Sequence, residues 1–401
     1  MQDSLLAFAA RGLSQGSWTS WLVWLLVTTQ LTIFTVTLYL HRSQTHRAVE
    51  FHPLVAHAFR FWSWLGTGMV TREWVAIHRQ HHAHVETPDD PHSPQVQGIR
   101  TVFWRGAELY RAASAQRQRI EQYGRGTPDD WLERHLYTPH ASWGPALMLV
   151  IDALLFGVVG VAIWAVQMVW IPLWAAGVVN GLGHWWGYRN FETADTSTNL
   201  SPWGLWIGGE ELHNNHHAYP GSARFALRKW EIDAGWLVIG GLRRLRLATV
   251  LRVAPVLDIR ANVNLPDADT AKALLAQRFR VMSEYCREVI VPTLREDAAH
   301  AGANLKALPR RLRRALGNGG RWLDAASRER MVAFTERLPR LHTVCEFRAR
   351  LAALIERNGR NADALLDALK DWCGEAEASG IRSLQEFAAQ LKGYRLAGSA
   401  A

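Results

Sequence analysis

The stretch WTSWLVWLLVTTQLTIFTVTLYL at residues 18–40 contains no charged side chain. Its length suits one helical crossing of a hydrocarbon core roughly 30 Å thick. We find no small-residue cleavage site at its end, so we expect a retained membrane anchor rather than a signal peptide. The stretch therefore predicts a helical membrane protein.

A second apolar zone at residues 143–183 predicts two further crossings, with a tight turn near 157–160 and a kink at Pro172. Residues 53–76 mix apolar and charged side chains, which favours a helix lying along the membrane interface.

The arginines around the first crossing predict its orientation. Arg42 and Arg47 follow it, whereas only Arg11 precedes it. The positive-inside rule then places residues 41–142 in the cytoplasm. We expect a multi-pass protein of the bacterial inner membrane with its histidine-rich stretches on the cytoplasmic side.

The composition changes near residue 240. Eighteen of the 20 tryptophans precede residue 241, and tryptophan is favoured at membrane interfaces. Beyond it, DADTAKALLAQRFRVMSEYCREV shows apolar residues at helical spacing. The predicted fold is mostly α: a membrane-embedded helical bundle with a histidine-rich cytoplasmic cap at 1–240, and a soluble α-helical region of unknown role at 241–401.

The net charge of +9 comes partly from two arginine clusters. We interpret both as faces lying on an anionic membrane leaflet. No helix-turn-helix or zinc-finger signature favours nucleic acid, and we expect no nucleic-acid partner. The two clusters are Arg243, Arg244 and Arg246, then Arg310, Arg311, Arg313 and Arg314.

Nine of the 17 histidines fall in four motifs, HRSQTH, HRQHH, NGLGH and HNNHH. They are His41, His46, His78, His81, His82, His184, His213, His216 and His217. In H-x-x-H-H, positions i, i+3 and i+4 share a helix face, which predicts that the three imidazoles converge on one point. We interpret the other eight histidines as ordinary structural or surface residues.

His41 and His46 are five residues apart, about 140° around an α-helix. They can share a metal only if the helix ends between them; otherwise they serve two different metals. Because His41 directly follows the apolar stretch, a helix end there is natural.

The histidine-rich motifs predict metal binding. Burying many unpaired imidazoles costs several kcal/mol unless something neutralises the arrangement. Nine ligands suit two metals with four or five ligands each. Imidazole binds Zn, Cu, Fe and Ni alike. Lipid chains offer mainly unactivated C–H bonds, however, and breaking these needs O2 and a redox metal, which favours iron.

The motifs H-x4-H, H-x2-H-H and H-x2-H-H, with N-x3-H before the last, resemble those of the membrane fatty acid desaturases, closest to the acyl-CoA Δ9 (stearoyl-CoA) type. Further matches cover residues 20–250: GYRN at 187–190, Gly209-Glu210 before HNNHHAYP, and Trp230, Ile232, Asp233 and Trp236. The resemblance implies two Fe ions held by the nine histidines, with Asn180 reaching one through water. It also implies that Trp74 lines the substrate tunnel, and that O2 and two electrons introduce a cis double bond into a saturated acyl chain.

Three departures from that family affect the expected partners. We count three crossings instead of four. We find no fused cytochrome b5 domain, so we expect a separate electron donor of the ferredoxin, rubredoxin or flavin-reductase type. Ala76 and Ile77 stand where the family has a charged pair that contacts CoA. The acyl carrier is therefore open between CoA and a membrane lipid.

Two other functions compete with desaturation. An alkane or fatty-acid hydroxylase can use the same ligands. A membrane metal transporter or sensor is a non-enzymatic alternative, although transporters place their ligands near the bilayer midplane. Here the ligands lie at or beyond the ends of the predicted crossings.

Overall fold

The computed structural model describes residues 8–14, 16–300, 315–357 and 362–397. The arginines predicted as a second basic cluster, at 310–314, lie outside these ranges. The chain forms two compact units, which we describe separately: Met1–Arg189 with Thr193–Ala254, and Asn190–Glu192 with Pro255–Ala401. Both are built mainly from helices, which confirms the mostly α prediction.

The first unit starts with α1 (Trp18–Phe34), which continues without a break as a π-helix over Thr35–Thr45. The helices that follow are α2 (Pro53–Thr67), α3 (Thr71–His84), α4 (Pro94–Gln97), α5 (Ile99–Ser114), α6 (Arg117–Tyr123), α7 (Trp143–Phe156), α8 (Val158–Ile171), α9 (His213–Ala218) and α10 (Ala234–Arg244). A short π-helix, Glu133–Tyr137, precedes α7.

The second long apolar helix changes its winding at a proline. Pro172 begins a π-helical continuation of α8 over Pro172–Gly181, followed by a 3-10 turn at Leu182–His184. Proline has no N–H to donate and disturbs the regular α-helical ladder. At the position where the sequence predicts a kink, the chain therefore changes from an α-helix to a π-helix.

Two helical stretches of the described residues are long and apolar enough to cross a membrane, Trp18–Thr45 and Val158–His184. α7 and α8 meet at Gly157, whose φ of 62° is one that glycine adopts readily. The predicted tight turn is confirmed. α7 has 14 residues, a rise of about 21 Å, so the third crossing stays a prediction.

The stretch 53–76 is not one helix, as predicted, but two. α2 ends at Gly68, which has a φ of 67° and whose N–H bonds to the carbonyl of Trp64. This left-handed glycine cap terminates a helix, and α3 begins three residues later.

Short strands tie distant parts of the first unit together. β1 (Val49–Phe51) pairs antiparallel with β4 (Ala248–Val250), and β2 (Trp203–Gly204) pairs parallel with β3 (Ile232–Asp233). The β1–β4 pair joins the chain that follows the first π-helix to the end of the unit.

The core of the first unit packs α1 against α8 and their π-helical continuations. Its buried apolar side chains are Ile33, Val36, Tyr39, Leu40, Ile171, Val179 and Ile207. These contacts fix the two long helices side by side, so the histidines at their ends lie near one another.

The second unit has its own hydrophobic core. Its elements are β5 (Leu257–Ile259), α11 (Ala268–Ala276), α12 (Arg278–Tyr285), a π-helix (Cys286–Ile290), α13 (Val291–His300), α14 (Ala325–Glu336), α15 (Pro339–Arg357), α16 (Ala362–Ala378), α17 (Arg382–Lys392) and β6 (Tyr394–Leu396). Trp372 is fully buried and donates its Nε1–H to the carbonyl of Phe347 at 3.0 Å. β5 and β6 pair antiparallel.

Candidate metal centre

The nine predicted histidines form two groups in the first unit. In each group the ligand nitrogens all lie within 4.8 Å of one another. His216 Nε2 lies 2.9 Å from His82 Nε2, and His213 Nε2 lies 3.0 Å from His184 Nε2. The first group is His41, His46, His78, His82 and His216; the second is His81, His184, His213 and His217.

Each H-x-x-H-H motif serves both groups. On α3, His78 and His82 belong to the first group and His81 to the second. On α9 the assignment is reversed, with His216 alone in the first group. The prediction that three imidazoles converge on one point is wrong. Residues four apart on a helix differ by about 40° and share a site, whereas adjacent residues differ by about 100° and face different sites.

A π-helix brings His41 and His46 together. The N–H of His46 donates to the carbonyl of His41 at 3.1 Å, a hydrogen bond spanning five residues. His46 therefore lies one turn beyond His41, and their ring centroids are 4.9 Å apart. Both rings join one group and the helix ends at Thr45, between them, as the first alternative from the sequence requires; the π-helical winding that precedes this end was not predicted. π-Helical turns are uncommon and occur frequently at functional sites.

Carboxylates orient three of the rings. His41 Nδ1 lies 2.8 Å from Glu210 Oε1. His81 Nδ1 lies 3.0 Å from Asp90 Oδ1, and His217 Nδ1 lies 3.0 Å from Asp195 Oδ2. A carboxylate that accepts the Nδ1 proton leaves the Nε2 lone pair free for a metal.

The buried ring nitrogens fit a metal. The Nε2 atoms of His46, His81 and His217 are buried and have no hydrogen-bond partner in the described ranges. A buried polar atom left unpaired costs roughly 1–3 kcal/mol, and a bound metal removes that cost. Neutral imidazole is also the form that metals bind.

Electrostatics keep the rings neutral and one carboxylate charged. Burial, reinforced by neighbouring imidazoles, holds the pKa values of His78, His82 and His216 well below the usual range. Burial also lowers the pKa of His217 to about 4, although Asp195 opposes this. Burial alone would raise the pKa of Asp195, but the His217 ring beside it holds that pKa well below its usual range.

A buried ion pair lies next to the first group of histidines and stabilises the backbone there. Arg42 is fully buried, and its two terminal nitrogens lie 3.0 and 2.9 Å from the two carboxylate oxygens of Asp233. Gly209, with a φ of 102°, packs so closely that a Cβ there would collide with both side chains. Of the two arginines that predicted the orientation of the first crossing, Arg42 is therefore an internal ion-pair residue, and Arg47 is exposed.

A largely apolar cavity of about 660 Å³ reaches the first group of histidines. His41, His78 and Asn180 line it. Trp74 also lines it, with its ring stacked on that of His78 at a centroid distance of 5.0 Å. The volume lies within the range of roughly 300–1,000 Å³ that is typical of ligand pockets.

A second, more polar cavity of about 750 Å³ adjoins the first, and the two share Glu73 and Ser114 as lining residues. Its charged lining residues are Arg72, Arg117, Arg125, Arg134, Glu73, Glu121, Asp129 and Glu133. Arg134 is paired with Asp129 at 2.9 Å.

Several residues around the histidines were not predicted from the sequence. Asp90 and Asp195 were not singled out, although both are acids in polar loops between histidine motifs. Glu86 lies 3.5 Å from His184 Nδ1. His92, interpreted as an ordinary histidine, stacks on His81 at 4.4 Å and forms a third possible donor group with His81 and Asp90. A search for acids within about ten residues of each histidine motif would have found all three carboxylates.

Comparison with known proteins identifies the family to which this chain belongs. Residues 17–234 match the family model described as Fatty acid desaturase. This is more than half of the chain, and the protein belongs to the fatty acid desaturase family, whose members are oxidoreductases.

Similar relatives act on different substrates. The acyl-CoA C20 Delta5-desaturase of Anemone leveillei is 31% identical over 59% of this chain and 75% of its own. The icosanoyl-CoA 5-desaturase of Limnanthes douglasii is 31% identical over 62% of this chain and 70% of its own. The sn-1 stearoyl-lipid 9-desaturase of Anabaena variabilis is 29% identical over 55% of this chain and 79% of its own.

Proposed function

We propose that this enzyme is an O2-dependent acyl desaturase that introduces a cis double bond at the Δ9 position of a saturated chain. The observation that carries the proposal is the pairing of two histidine groups with one apolar cavity, because His41 and His78 line that cavity directly. The likeness of the histidine motifs to the acyl-CoA Δ9 type supports Δ9. The relatives' names specify both position 5 and position 9, so the double-bond position is the quantity to measure.

Two iron ions are the proposed cofactors, one for each histidine group, with Asn180 reaching one through water. When bound, they supply the activation of O2 that removal of two hydrogens from adjacent carbons requires. The protein's part is to present neutral Nε2 atoms, which Glu210, Asp90 and Asp195 keep free by accepting from Nδ1. Trp74 and the apolar wall hold the chain beside the histidines and exclude water.

The acyl carrier is proposed to lie in the polar cavity. Ala76 and Ile77, at the family's CoA-contacting positions, are 1% and 4% exposed, so they reach no carrier at the surface. Arg72 and Arg117 instead offer positive charge beside the apolar cavity. Arginine suits phosphate groups, which both CoA and phospholipids contain.

The cellular setting follows from the same proposal. The enzyme is a multi-pass protein of a bacterial inner membrane with its metal centre on the cytoplasmic side. Two electrons come from a separate ferredoxin, rubredoxin or flavin-reductase-type donor. Residues 1–240 are proposed as the desaturase domain and 241–401 as a separate helical region.

The direct test is lipid analysis of a host that overexpresses the chain. Gas chromatography should show new monounsaturated acyl chains, and mass spectrometry should place the double bond between carbons 9 and 10. A His216→Ala variant, expressed to the same level, should give none. Hydroxylated chains in place of unsaturated ones would refute desaturation, and a double bond elsewhere would refute Δ9 alone.

A further inference from the structure

An acidic side chain lies inside the apolar helix α7. Asp152 is completely buried, and its Oδ1 accepts a hydrogen bond of 2.7 Å from the indole Nε1–H of Trp24 on α1. A carboxyl group among apolar helices is costly unless it is bonded, and such residues tend to be retained for function. None of the steps proposed above uses Asp152.

Asp152 belongs to a small polar cluster that holds Gln167 of α8. One turn along α1 from Trp24, Thr28 accepts a 2.9 Å hydrogen bond from Gln167 Nε2. The Gln167 side chain also faces the Asp152 carboxylate. Gln167 is only 6% exposed, so its amide is fixed by neighbours from two other helices.

Gln167 also lines the apolar cavity. Its carbonyl oxygen Oε1 is buried and lacks a hydrogen-bond partner within the described ranges. Around it the cavity is lined by apolar side chains, including Trp164, Met168 and Ile171. A polar group is thus fixed at one place in an otherwise apolar channel.

The two long helices locate that place relative to the histidines. Thirteen residues separate Thr28 from His41 on the first helix, and thirteen separate Gln167 from Asn180 on the other. At the α-helical rise of 1.5 Å per residue, thirteen residues span about 20 Å, and the π-helical parts Thr35–Thr45 and Pro172–Gly181 rise by less, so Gln167 lies at most about 20 Å along the helices from the metal centre. Gln167 therefore lies near the end of the cavity remote from the histidines, and among the residues that the structure describes Trp164 is the one lining residue farther along this helix.

We propose that Gln167 narrows the remote part of the acyl cavity and limits how many carbons extend beyond the reacting bond, with Asp152 and Trp24 as positioning residues. An additional methylene group must displace an amide bonded to Thr28 or pack against an unpaired carbonyl oxygen, and both cost free energy. This role rests on the proposed acyl desaturation, because it needs a chain lying in this cavity.

The test compares the chain lengths that full-length variants desaturate when the host is fed saturated fatty acids of several lengths. In Gln167→Ala, the product ratio should shift toward chains two carbons longer by about tenfold or more, since one methylene in an apolar pocket changes kcat/KM by roughly that factor. Gln167→Trp should shift the ratio toward shorter chains. Val169→Ala, on the exposed side of the same helix, is the matched control and should keep the wild-type ratio.

Asp152 is tested by a pair of variants. Asp152→Asn keeps an oxygen for Trp24 and should retain the wild-type chain-length ratio, whereas Asp152→Leu releases Gln167 and should shift it toward longer chains. A purely structural role would lower the amount of product without moving the ratio. Unshifted ratios in both Gln167 variants of an active enzyme would overturn this inference. A wild-type enzyme that desaturates no chain would instead refute the proposed function.

Discussion

Whether a buried imidazole can bind a metal depends on the hydrogen-bond partner of its other ring nitrogen. Where a carboxylate accepts from Nδ1, as at His41, His81 and His217, the other nitrogen is left as a metal ligand. The sequence predicts the nine histidines because their motifs are local and unusual. It could not predict which ring joins which group, since that depends on helix rotation. Proximity in sequence to the histidine motifs makes Asp90 and Asp195 candidates, but which ring each contacts depends on how their loops fold back.

Removing a single ring should abolish activity. His81→Ala and His216→Ala each leave one group a ligand short, so we expect no detectable desaturation while the protein still inserts in the membrane. His135, which is exposed and outside both groups, supplies the control, and His135→Ala should retain near wild-type activity. Product formation is measured by gas chromatography. Full activity in His81→Ala would exclude the two-metal interpretation.

Neutralising a carboxylate that accepts from a histidine Nδ1 should weaken metal binding without abolishing it. In Asp90→Asn the amide can no longer hold the His81 proton as a carboxylate does, so metal affinity should fall by roughly 10–100-fold. Chelator titration followed by metal analysis measures this. Asp89→Asn is the matched control, because Asp89 pairs with Arg119 instead of a histidine. Equal metal retention in the two variants would remove Asp90 from the site.

At the scale of elements, helix type was the main error of the sequence analysis. The length of the uncharged apolar stretches correctly predicted the long helices, and the glycines near residue 157 correctly predicted the turn. Under α-helical geometry His41 and His46 would lie about 140° apart, as the sequence predicted. The π-helix over Thr35–Thr45 is stabilised by long-range contacts, such as the pair between Arg42 and Asp233, which local sequence does not reveal.

The Arg42–Asp233 pair should therefore be needed for both stability and metal binding. Arg42→Met leaves the Asp233 carboxylate buried without its partner, and losing one member of a buried pair typically costs about 3–5 kcal/mol. We expect a lower unfolding temperature in detergent and a reduced metal content. The exposed Arg47 provides the comparison, and Arg47→Met should change neither quantity by as much. A wild-type melting temperature for Arg42→Met would show that the pair is dispensable.

For the whole molecule, the change in composition near residue 240 predicted two regions. The described residues form two compact units, and the first extends past residue 240 to Ala254, where β4 pairs with β1. The division into a desaturase domain and a helical region of separate role stays a prediction. The role of the second unit could not be predicted from its helical pattern, because apolar spacing reports packing and not chemistry. Both histidine groups and their carboxylate partners belong to the first unit.

A chain truncated after Ala254 should accordingly keep its metal content and its membrane insertion. If the second unit recruits the electron donor, turnover should fall and be partly restored by excess donor. If the second unit serves only stability, turnover should follow the amount of folded protein. Turnover per folded enzyme over a donor titration distinguishes the two. Loss of metal from a truncated protein that still inserts would mean that the centre needs the second unit.

The central claim, a pair of iron ions held by nine histidines, is tested most directly by elemental analysis of the purified full-length protein. We predict two iron atoms per chain, falling in both His81→Ala and His216→Ala, with His135→Ala unchanged. A preparation that supports desaturation with one metal per chain, or with zinc alone, would contradict the claim.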